Sequence, residues 1–168
     1  MSLPKQVAAL TVPAGTSLRL AAHAAADLPD VNVWLALSVQ EHPHHQRALH
    51  YWQDEAASRT SFCRITMLGL VRLLCQPRVM GTGALDTAAA LQVWKRWLQL
   101  PEVVLLIEAP DCETHLQALC DATLPPRLLT DAYLAAFASS GGLRLVSFDS
   151  DFHRFSGLDF LHLKPLEH

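Results

Sequence analysis

Short apolar runs alternate with longer segments of helical periodicity along most of the chain. The short runs favour strands, because a strand buried on both faces is apolar throughout, whereas a helix repeats its apolar positions about every 3.6 residues. The predicted strands are a short run that ends at Asp30 and residues 61–65, 103–107, 143–148 and 160–163. The predicted helices are residues 32–39, 44–57, 66–74, 86–100 and 111–121, and a helix from about Leu128 to the glycines at 141 and 142.

Residues that begin or end helices support these boundaries. Thr66 is expected to be the N-cap of the third helix, because a threonine side chain can accept a hydrogen bond from a free backbone N–H of the first turn. Pro77 and Pro101 are expected to stop the helices that precede them. Gly141 and Gly142 provide the glycine that commonly follows a helix.

Strands that alternate with helices predict an α/β fold with a central, mainly parallel sheet flanked by helices. Parallel neighbours need a crossover of a dozen residues or more, and the helical segments have that length. We expect one domain over residues 27–165. Residues 1–26 are expected to be an N-terminal extension, with a short strand at 7–12, and residues 166–168 resemble the start of a cloning tag.

Composition narrows the choice of environment more than the choice of function. The chain has 168 residues, 51% of them hydrophobic and 17% charged, with a net charge of −3, so no overall basic charge indicates nucleic acid. The four cysteines form no Cys-x-x-Cys pair, which favours reduced thiols and a cytoplasmic protein. No apolar run has the length of a membrane span, and we expect neither secretion nor membrane insertion.

Three aspartates occupy positions that a parallel sheet brings together. Asp30 and Asp149 follow strands, and Asp131 lies in the first turn of a predicted helix. The carboxyl ends of parallel strands share one edge with the starts of adjoining helices, and ligands bind there. Neighbouring carboxylates repel one another unless a cation lies between them, and oxygen ligands favour Mg²⁺ or Mn²⁺. Each residue also has a structural explanation, Asp131 as a first-turn charge and Asp149 as a turn former.

Histidines and tryptophans offer weaker alternatives. His42, His44, His45 and His50 could suggest zinc, but no Cys or Asp stands beside them at ligand spacing, and a polar helix entry explains them better. Two tryptophans three residues apart, at 94 and 97, could stack on bases, but an apolar helical stripe favours the core.

Four blocks of sequence, in order, resemble a PIN domain of the VapC toxin type. They are PDVNVWLAL, FCRITMLGLVRLL, LLTDAYLAAFA and LRLVSFDSDF, and the similarity runs through most of residues 27–164. The resemblance implies a PIN-like three-layer fold and a Mg²⁺- or Mn²⁺-dependent ribonuclease paired with an antitoxin. It also implies a homodimer, which the apolar faces of the helices at 66–74 and 86–100 favour.

The resemblance also assigns roles to individual residues. Asp30, Asp131 and Asp149 match the catalytic acids that hold the metal ion, and Asn32 and Ser147 match supporting polar groups. Asp151 is expected to cap the following turn rather than bind metal.

One position departs from the family pattern. PIN nucleases typically carry Thr-x-x-Glu-x-x-Arg on the helix after the second strand, and here Thr66 and Arg72 match while Gly69 stands where the acid would be. A shifted frame gives Met67, which is not acidic either. Fewer anionic ligands predict weaker binding of a hard cation.

We therefore expect an endoribonuclease toxin that cleaves RNA phosphodiester bonds and is neutralised by a VapB-like antitoxin. The main alternative is a PIN-fold module that binds RNA or a partner without cutting. A phosphohydrolase is suggested only by the pair Asp149 and Asp151, but that pair lies too late in the chain, because such enzymes carry it after an early strand.

Overall fold

A five-stranded parallel sheet forms the centre of the protein in this computed structural model, which describes residues 26–165. Its strand order is β3-β2-β1-β4-β5, and every neighbouring pair is parallel. The strands are β1 (Asp27–Pro29), β2 (Thr60–Phe62), β3 (Val103–Leu105), β4 (Arg144–Ser147) and β5 (Phe160–His162). The predicted parallel α/β architecture is confirmed. The expected strand at 7–12, the rest of the extension before residue 26 and the tag-like residues 166–168 lie outside the described residues.

Helices cover both faces of the sheet. They are α1 (Val31–Ser38), α2 (His45–His50), α3 (Arg64–Leu74), α4 (Pro77–Met80), α5 (Thr87–Trp97), α6 (Cys112–Leu119) and α7 (Leu129–Gly141). A π-helical turn, Tyr51–Glu55, continues α2, and 3₁₀ turns include Ser150–Arg154 after β4. Gly142 adopts the left-handed conformation (φ 61°) that ends α7, as the sequence predicts.

Two apolar cores, one on each face, hold the layers together. Helices α1, α3 and α5 pack on one face, and α6 and α7 pack on the other. In the first core the ring of Trp34 stacks on Phe62 with 3.8 Å between ring centroids. Trp97 is buried there and its indole N–H donates to Ser38 Oγ at 2.9 Å. Trp94 packs against the same core, so the tryptophan stripe belongs to the interior and not to a base-stacking surface.

The start of α3 differs from the sequence prediction. Strand β2 ends at Phe62, and the N-cap is Cys63 rather than Thr66, so Arg64 and Ile65 are helical. Thr66 is the third helical residue, and its buried hydroxyl oxygen accepts from the Cys63 N–H at 3.1 Å. This reciprocal arrangement is a capping box, in which the residue at the third position satisfies the backbone N–H of the cap.

Two observations bear on the expected environment. All four cysteines are free. Within residues 26–165, none of the helices has the length and apolar character that a membrane crossing needs.

Candidate active site

The sheet topology places the exits of β1 and β4 side by side. Pro29 pairs with Val146 in register, and the Asp30 N–H donates to the Val146 carbonyl oxygen at 2.8 Å. Asp30 therefore lies next to the end of β4, and Asp149 follows two residues after that strand. Residues more than 100 positions apart in sequence meet at this edge, as one hydrogen bond over a separation of 117 shows.

Three hydrogen bonds hold the Asp30 carboxylate in place. It is the N-cap of α1, and its Oδ1 accepts from the Val31 N–H at 2.6 Å. Its Oδ2 accepts from the Asn32 amide at 2.8 Å and from the Ser147 hydroxyl at 2.9 Å. These contacts fix the rotamer of a carboxylate that is only 8% exposed.

Asn32 ties the two strand exits together. Its amide nitrogen also lies 2.9 Å from Ser147 Oγ, and its amide oxygen accepts from the Phe148 N–H at 3.4 Å. The side chain thereby bridges the start of α1 and the end of β4. Asn32 and Ser147, the two supporting residues expected from sequence, both contact the Asp30 carboxylate.

The pKa values of Asp30 and Asp131 are both raised, in part by the charge of Asp149. The pKa of Asp30 is raised from 3.8 to about 6, chiefly by burial and to a smaller extent by the charges of Asp131 and Asp149, while hydrogen bonds from Ser147 and Val31 act to lower it. The pKa of Asp131 is also raised, first by burial and then by the charges of Asp149 and Asp151. Arg127 and Arg154 act on Asp131 in the opposite direction. Three acids far apart in sequence thus share one electrostatic environment.

The sequence predicts that Asp151 caps the turn after β4, but the cap is Asp149. Asp149 is the N-cap of the turn Ser150–Arg154, and its Oδ1 accepts from the Asp151 N–H at 2.8 Å. Asp151 does not cap that turn. It instead forms an ion pair with Arg127 at 3.3 Å. The reason is local: the residue immediately before a turn is placed to accept from a backbone N–H two residues on.

Helix α3 contributes no carboxylate, and the structure shows what fills the place. A Cβ built on Gly69 would lie 2.9 Å from Val31 Cγ2 and 3.3 Å from its Cβ. Val31 is β-branched and stiff, so it cannot swing aside at low cost. Met67 is buried, and Arg72 is exposed, with no ion pair among residues 26–165. The Val31–Gly69 contact was missed from sequence, because neither residue has a chemical signature of a site.

The histidines do not form a zinc site. His45 Nδ1 lies 2.7 Å from the Ala36 carbonyl oxygen, and His50 pairs with Asp54 at 2.8 Å. Burial, followed by the charges of His44 and His45, lowers the pKa of His42. In the part of the chain that the structure describes, no three His, Cys, Asp or Glu side chains are grouped as metal ligands.

Asp30, Asp131 and Asp149 are likewise not grouped as three metal ligands within residues 26–165. The atoms that these acids offer to a metal ion are all hard carboxylate oxygens. A buried carboxylate beside two others has negative charge that a divalent cation would balance. The donor chemistry therefore fits Mg²⁺ or Mn²⁺, whereas the side-chain positions do not form a ready-made set of three ligands. The carboxylates of Asp30 and Asp149 also cap a helix and a turn.

Comparisons with known proteins agree with the fold. The model of the PIN domain family matches residues 28–158. Ribonuclease VapC41 of Mycobacterium tuberculosis is 36% identical over 139 residues, which are 79% of this chain and 94% of that protein. Ribonuclease VapC37 of the same species is 32% identical over 133 residues, or 77% of this chain and 91% of the relative.

Two crystal structures share the fold at low sequence identity. VapC20 of Mycobacterium tuberculosis, a sarcin-ricin loop cleaving toxin, superposes with a TM-score of 0.59 at 18% identity, over 79% of this chain and 96% of that one. VapBC2 from Rickettsia felis, bound to a DNA fragment from its promoter, gives a TM-score of 0.54 at 10% identity, over 82% and 98% of the two chains.

Proposed function

The chain belongs to the PIN domain family, with ribonucleases of the VapC type among its relatives, and on that premise we propose that it is a divalent-metal-dependent endoribonuclease toxin. Its substrate is RNA, and its partner is a VapB-like antitoxin that neutralises it. Mg²⁺ or Mn²⁺ is the cofactor.

The observation that carries this proposal is Asp30, a buried acid at the sheet edge with no basic side chain paired to it within residues 26–165. Among the described residues no Lys, Arg or His side chain forms an ion pair with it, and Asp131 and Asp149 add negative charge. Such an arrangement is unfavourable by itself. A divalent cation held by these three carboxylates removes the repulsion, and Asp30, Asp131 and Asp149 are the residues that would hold it.

Each polar residue of the site has a separable task. A bound Mg²⁺ or Mn²⁺ would lower the pKa of a bound water molecule and neutralise negative charge on the phosphodiester. Asn32 and Ser147 keep the Asp30 carboxylate in one orientation, because each donates to the same oxygen. Preorganisation of this kind lowers the cost of collecting like charges around a cation. Arg72, exposed on α3, is free to contact an RNA phosphate or an antitoxin carboxylate.

The affinity for the cation is expected to be weak. The position of a further acid is Gly69, and Val31 fills the adjoining space. Affinity for hard cations follows the charge and number of ligands, and weak sites bind at roughly 10⁻⁴–10⁻³ M. We propose that cleavage demands Mn²⁺ or Mg²⁺ in the millimolar range.

Assembly and location are part of the same proposal. A homodimer is favoured by α3, whose exposed face carries Ile65 at 39% and Leu68 at 53% exposure. A cytoplasmic location is favoured by the four free thiols. Sedimentation at micromolar concentration tests the dimer, and a monomer throughout would refute it.

Incubation of the protein with total RNA tests the activity. Defined cleavage fragments are expected with Mg²⁺ or Mn²⁺, and none after a chelator is added. Asp131→Asn is the matched control, because it keeps the size of the side chain and removes its charge; it should leave the RNA intact. Cleavage that persists in the chelator would overturn the metal-dependent proposal.

A non-catalytic RNA-binding module is the second candidate, and the Val31–Gly69 contact favours it, because that contact leaves α3 without an acid. This candidate predicts that native protein and Asp131→Asn both bind RNA and that neither cuts it at any metal concentration.

A further inference from the structure

Three aromatic side chains cluster at the outer edge of the sheet. His153 lies 4.9 Å from Phe160 and 5.3 Å from His162 between ring centroids, and both contacts are edge-to-face. Phe160 and His162 are stacked at 5.9 Å with an interplanar angle of 16°. His153 is exposed, and the other two rings are half-buried. This cluster, called here the β5 platform, lies on the edge strand β5 and the turn that precedes it.

The β5 platform adjoins the acid site through strand β4. His162 pairs in register with Ser147, whose hydroxyl donates to the Asp30 carboxylate. His162 Nε2 also lies 3.2 Å from the Phe148 carbonyl oxygen, and Phe148 directly precedes Asp149. Neighbouring strands are about 4.8 Å apart, so a nucleotide whose phosphate is at the acids can place its own base, or the next one, over the platform.

A second aromatic contact extends this edge on the side of α2. The exposed ring of His44 stacks on Phe148, with 4.6 Å between centroids and an interplanar angle of 22°. The imidazole rings of His44 and His162 therefore both contact Phe148, which directly precedes Asp149. Edge strands often carry polar side chains merely to prevent pairing with another chain, but that purpose needs neither stacked rings nor proximity to an acid site.

Charges around the β5 platform are mixed. Arg154 and Lys164 are exposed, and between Ala26 and Pro165 neither forms an ion pair within 4.0 Å. Asp149, Asp151 and Asp159 supply negative charge nearby. Phosphate attraction is therefore modest here, and flat rings are the feature that selects the ligand. Every nucleobase has a π-face that stacks on such rings.

We propose that the β5 platform is a stacking surface for an unpaired base of the RNA substrate, placed next to the bond that is cut. This inference rests on the proposed function and adds a subsite to it. It selects unpaired RNA, because a base within a duplex is covered on both faces by its neighbours.

The test is the binding of fluorescein-labelled single-stranded RNA and of an RNA duplex to the full chain, measured by anisotropy in a chelator so that cleavage does not interfere. His153→Ala and His162→Ala are each expected to weaken binding of the single strand by about tenfold, the usual size of one lost base stack. Binding of the duplex should change less than twofold. His153→Phe, which keeps a ring and removes the imidazole, should restore single-strand affinity.

His115→Ala is the matched control, because His115 lies on α6, outside the platform, and pairs with Asp111. It should bind RNA like the native protein. Native affinity of both platform variants, or an equal loss on single strand and duplex, overturns the stacking surface. So does a loss of antitoxin binding with native RNA affinity, which would make this a protein-docking surface. If the native protein neither binds nor cuts RNA, the proposed function itself has failed; if it cuts and the variants match it, only the platform is wrong.

Discussion

Asp27 and Asp30 lie at opposite ends of the short strand β1, and both are buried. Asp27 is fully enclosed, and its two oxygens accept from the Arg144 guanidinium at 2.9 Å each, from the Tyr51 hydroxyl at 2.8 Å and from the Ala57 N–H at 2.9 Å. Asp30 also has its hydrogen bonds, but they come from neutral donors, and its electrostatic neighbours are two more acids.

The difference separates a structural carboxylate from one available for chemistry. The Asp27 charge is balanced inside the protein, and the guanidinium of Arg144 keeps a raised pKa because the pairing outweighs the effect of burial. The Asp30 charge is balanced by nothing in the described part of the molecule, so it remains for a ligand to balance. Burial alone is therefore not a sign of a site, whereas burial without a counter-ion is.

Removal of the Asp27 charge should have the largest effect. Asp27→Asn leaves the Arg144 guanidinium without its partner, and breaking a buried ion pair costs about 3–5 kcal/mol in the free energy of unfolding. Arg144 keeps 17% of its side chain exposed, which favours the lower value. Urea denaturation measures the change. An unfolding free energy within 1 kcal/mol of the native value would show that the pair contributes little, at roughly the size of a surface ion pair.

Asp30→Asn should change stability in the opposite direction. A folded pKa raised from 3.8 to about 6 means that ionisation of Asp30 destabilises the native state. The stability from neutral Asp30 is fully present below about 3.8 and is lost as the pH rises through about 6. With its amide oxygen in the place of Oδ2, the new side chain keeps the bonds from Asn32 and Ser147 and loses only the one from the Val31 N–H. Because the charge penalty is removed as well, the variant at pH 7 in a chelator should be more stable by about 1–3 kcal/mol.

The pH dependence of the unfolding free energy gives a further test of the Asp30 charge. The difference in unfolding free energy between Asp30→Asn and native protein should grow between pH 4 and pH 7 and be smallest at the acid end. Using the difference cancels the titration of carboxyl groups that do not interact with Asp30. A difference that is constant over this range, or a destabilised variant at pH 7, would contradict the unbalanced charge at Asp30.

The Val31–Gly69 contact gives a smaller effect. Gly69→Ala should destabilise the protein by about 1–2 kcal/mol, because the new Cβ meets Val31 Cγ2 at 2.9 Å and overpacking outweighs the helix propensity gained. The second change Val31→Ala should recover most of that loss, as a double-mutant cycle would show. Stabilisation by Gly69→Ala alone would mean that the two helices separate easily.

Substitutions at Val31 and Gly69 also test whether the absence of an acid on α3 weakens metal binding. Val31→Ala with Gly69→Glu has room for an added carboxylate, and it should bind Mn²⁺ several-fold more tightly than the native protein. The count of free Mn²⁺ by electron paramagnetic resonance measures this without any RNA. The control is Val31→Ala with Gly69→Gln, which has the same size and no charge, and equal affinity of the two would show that the added carboxylate does not reach the cation.

Periodicity and strand exits predicted most of the fold and the position of the acids. The alternation of apolar runs and helical segments requires a parallel sheet, and that topology alone places Asp30 and Asp149 at one edge. Details that depend on one or two hydrogen bonds were not predictable. Cys63 replaces Thr66 as the cap, and Asp149 replaces Asp151, because either residue of each pair has a side chain that can accept a backbone N–H.

Contacts between residues far apart in sequence could not be predicted either. The pairing of Asp27 with Arg144 spans 117 positions, and nothing in either local sequence distinguishes Asp27 from Asp30. The Val31–Gly69 contact likewise joins two apolar residues on different helices. The position of a candidate site residue could be predicted where residue type and sheet topology determine it. The partner of a side chain could not be predicted where tertiary packing determines it.

We propose that the three carboxylates at the sheet edge use a weakly held divalent cation to cleave RNA. A series of cleavage assays across Mn²⁺ concentrations, with native protein and Asp131→Asn in parallel, tests it most directly. We predict native cleavage that rises from micromolar into millimolar Mn²⁺, with the variant inactive throughout. Native protein that cuts RNA at no Mn²⁺ concentration would contradict the claim, and saturation at micromolar Mn²⁺ would show that another group replaces the missing acid.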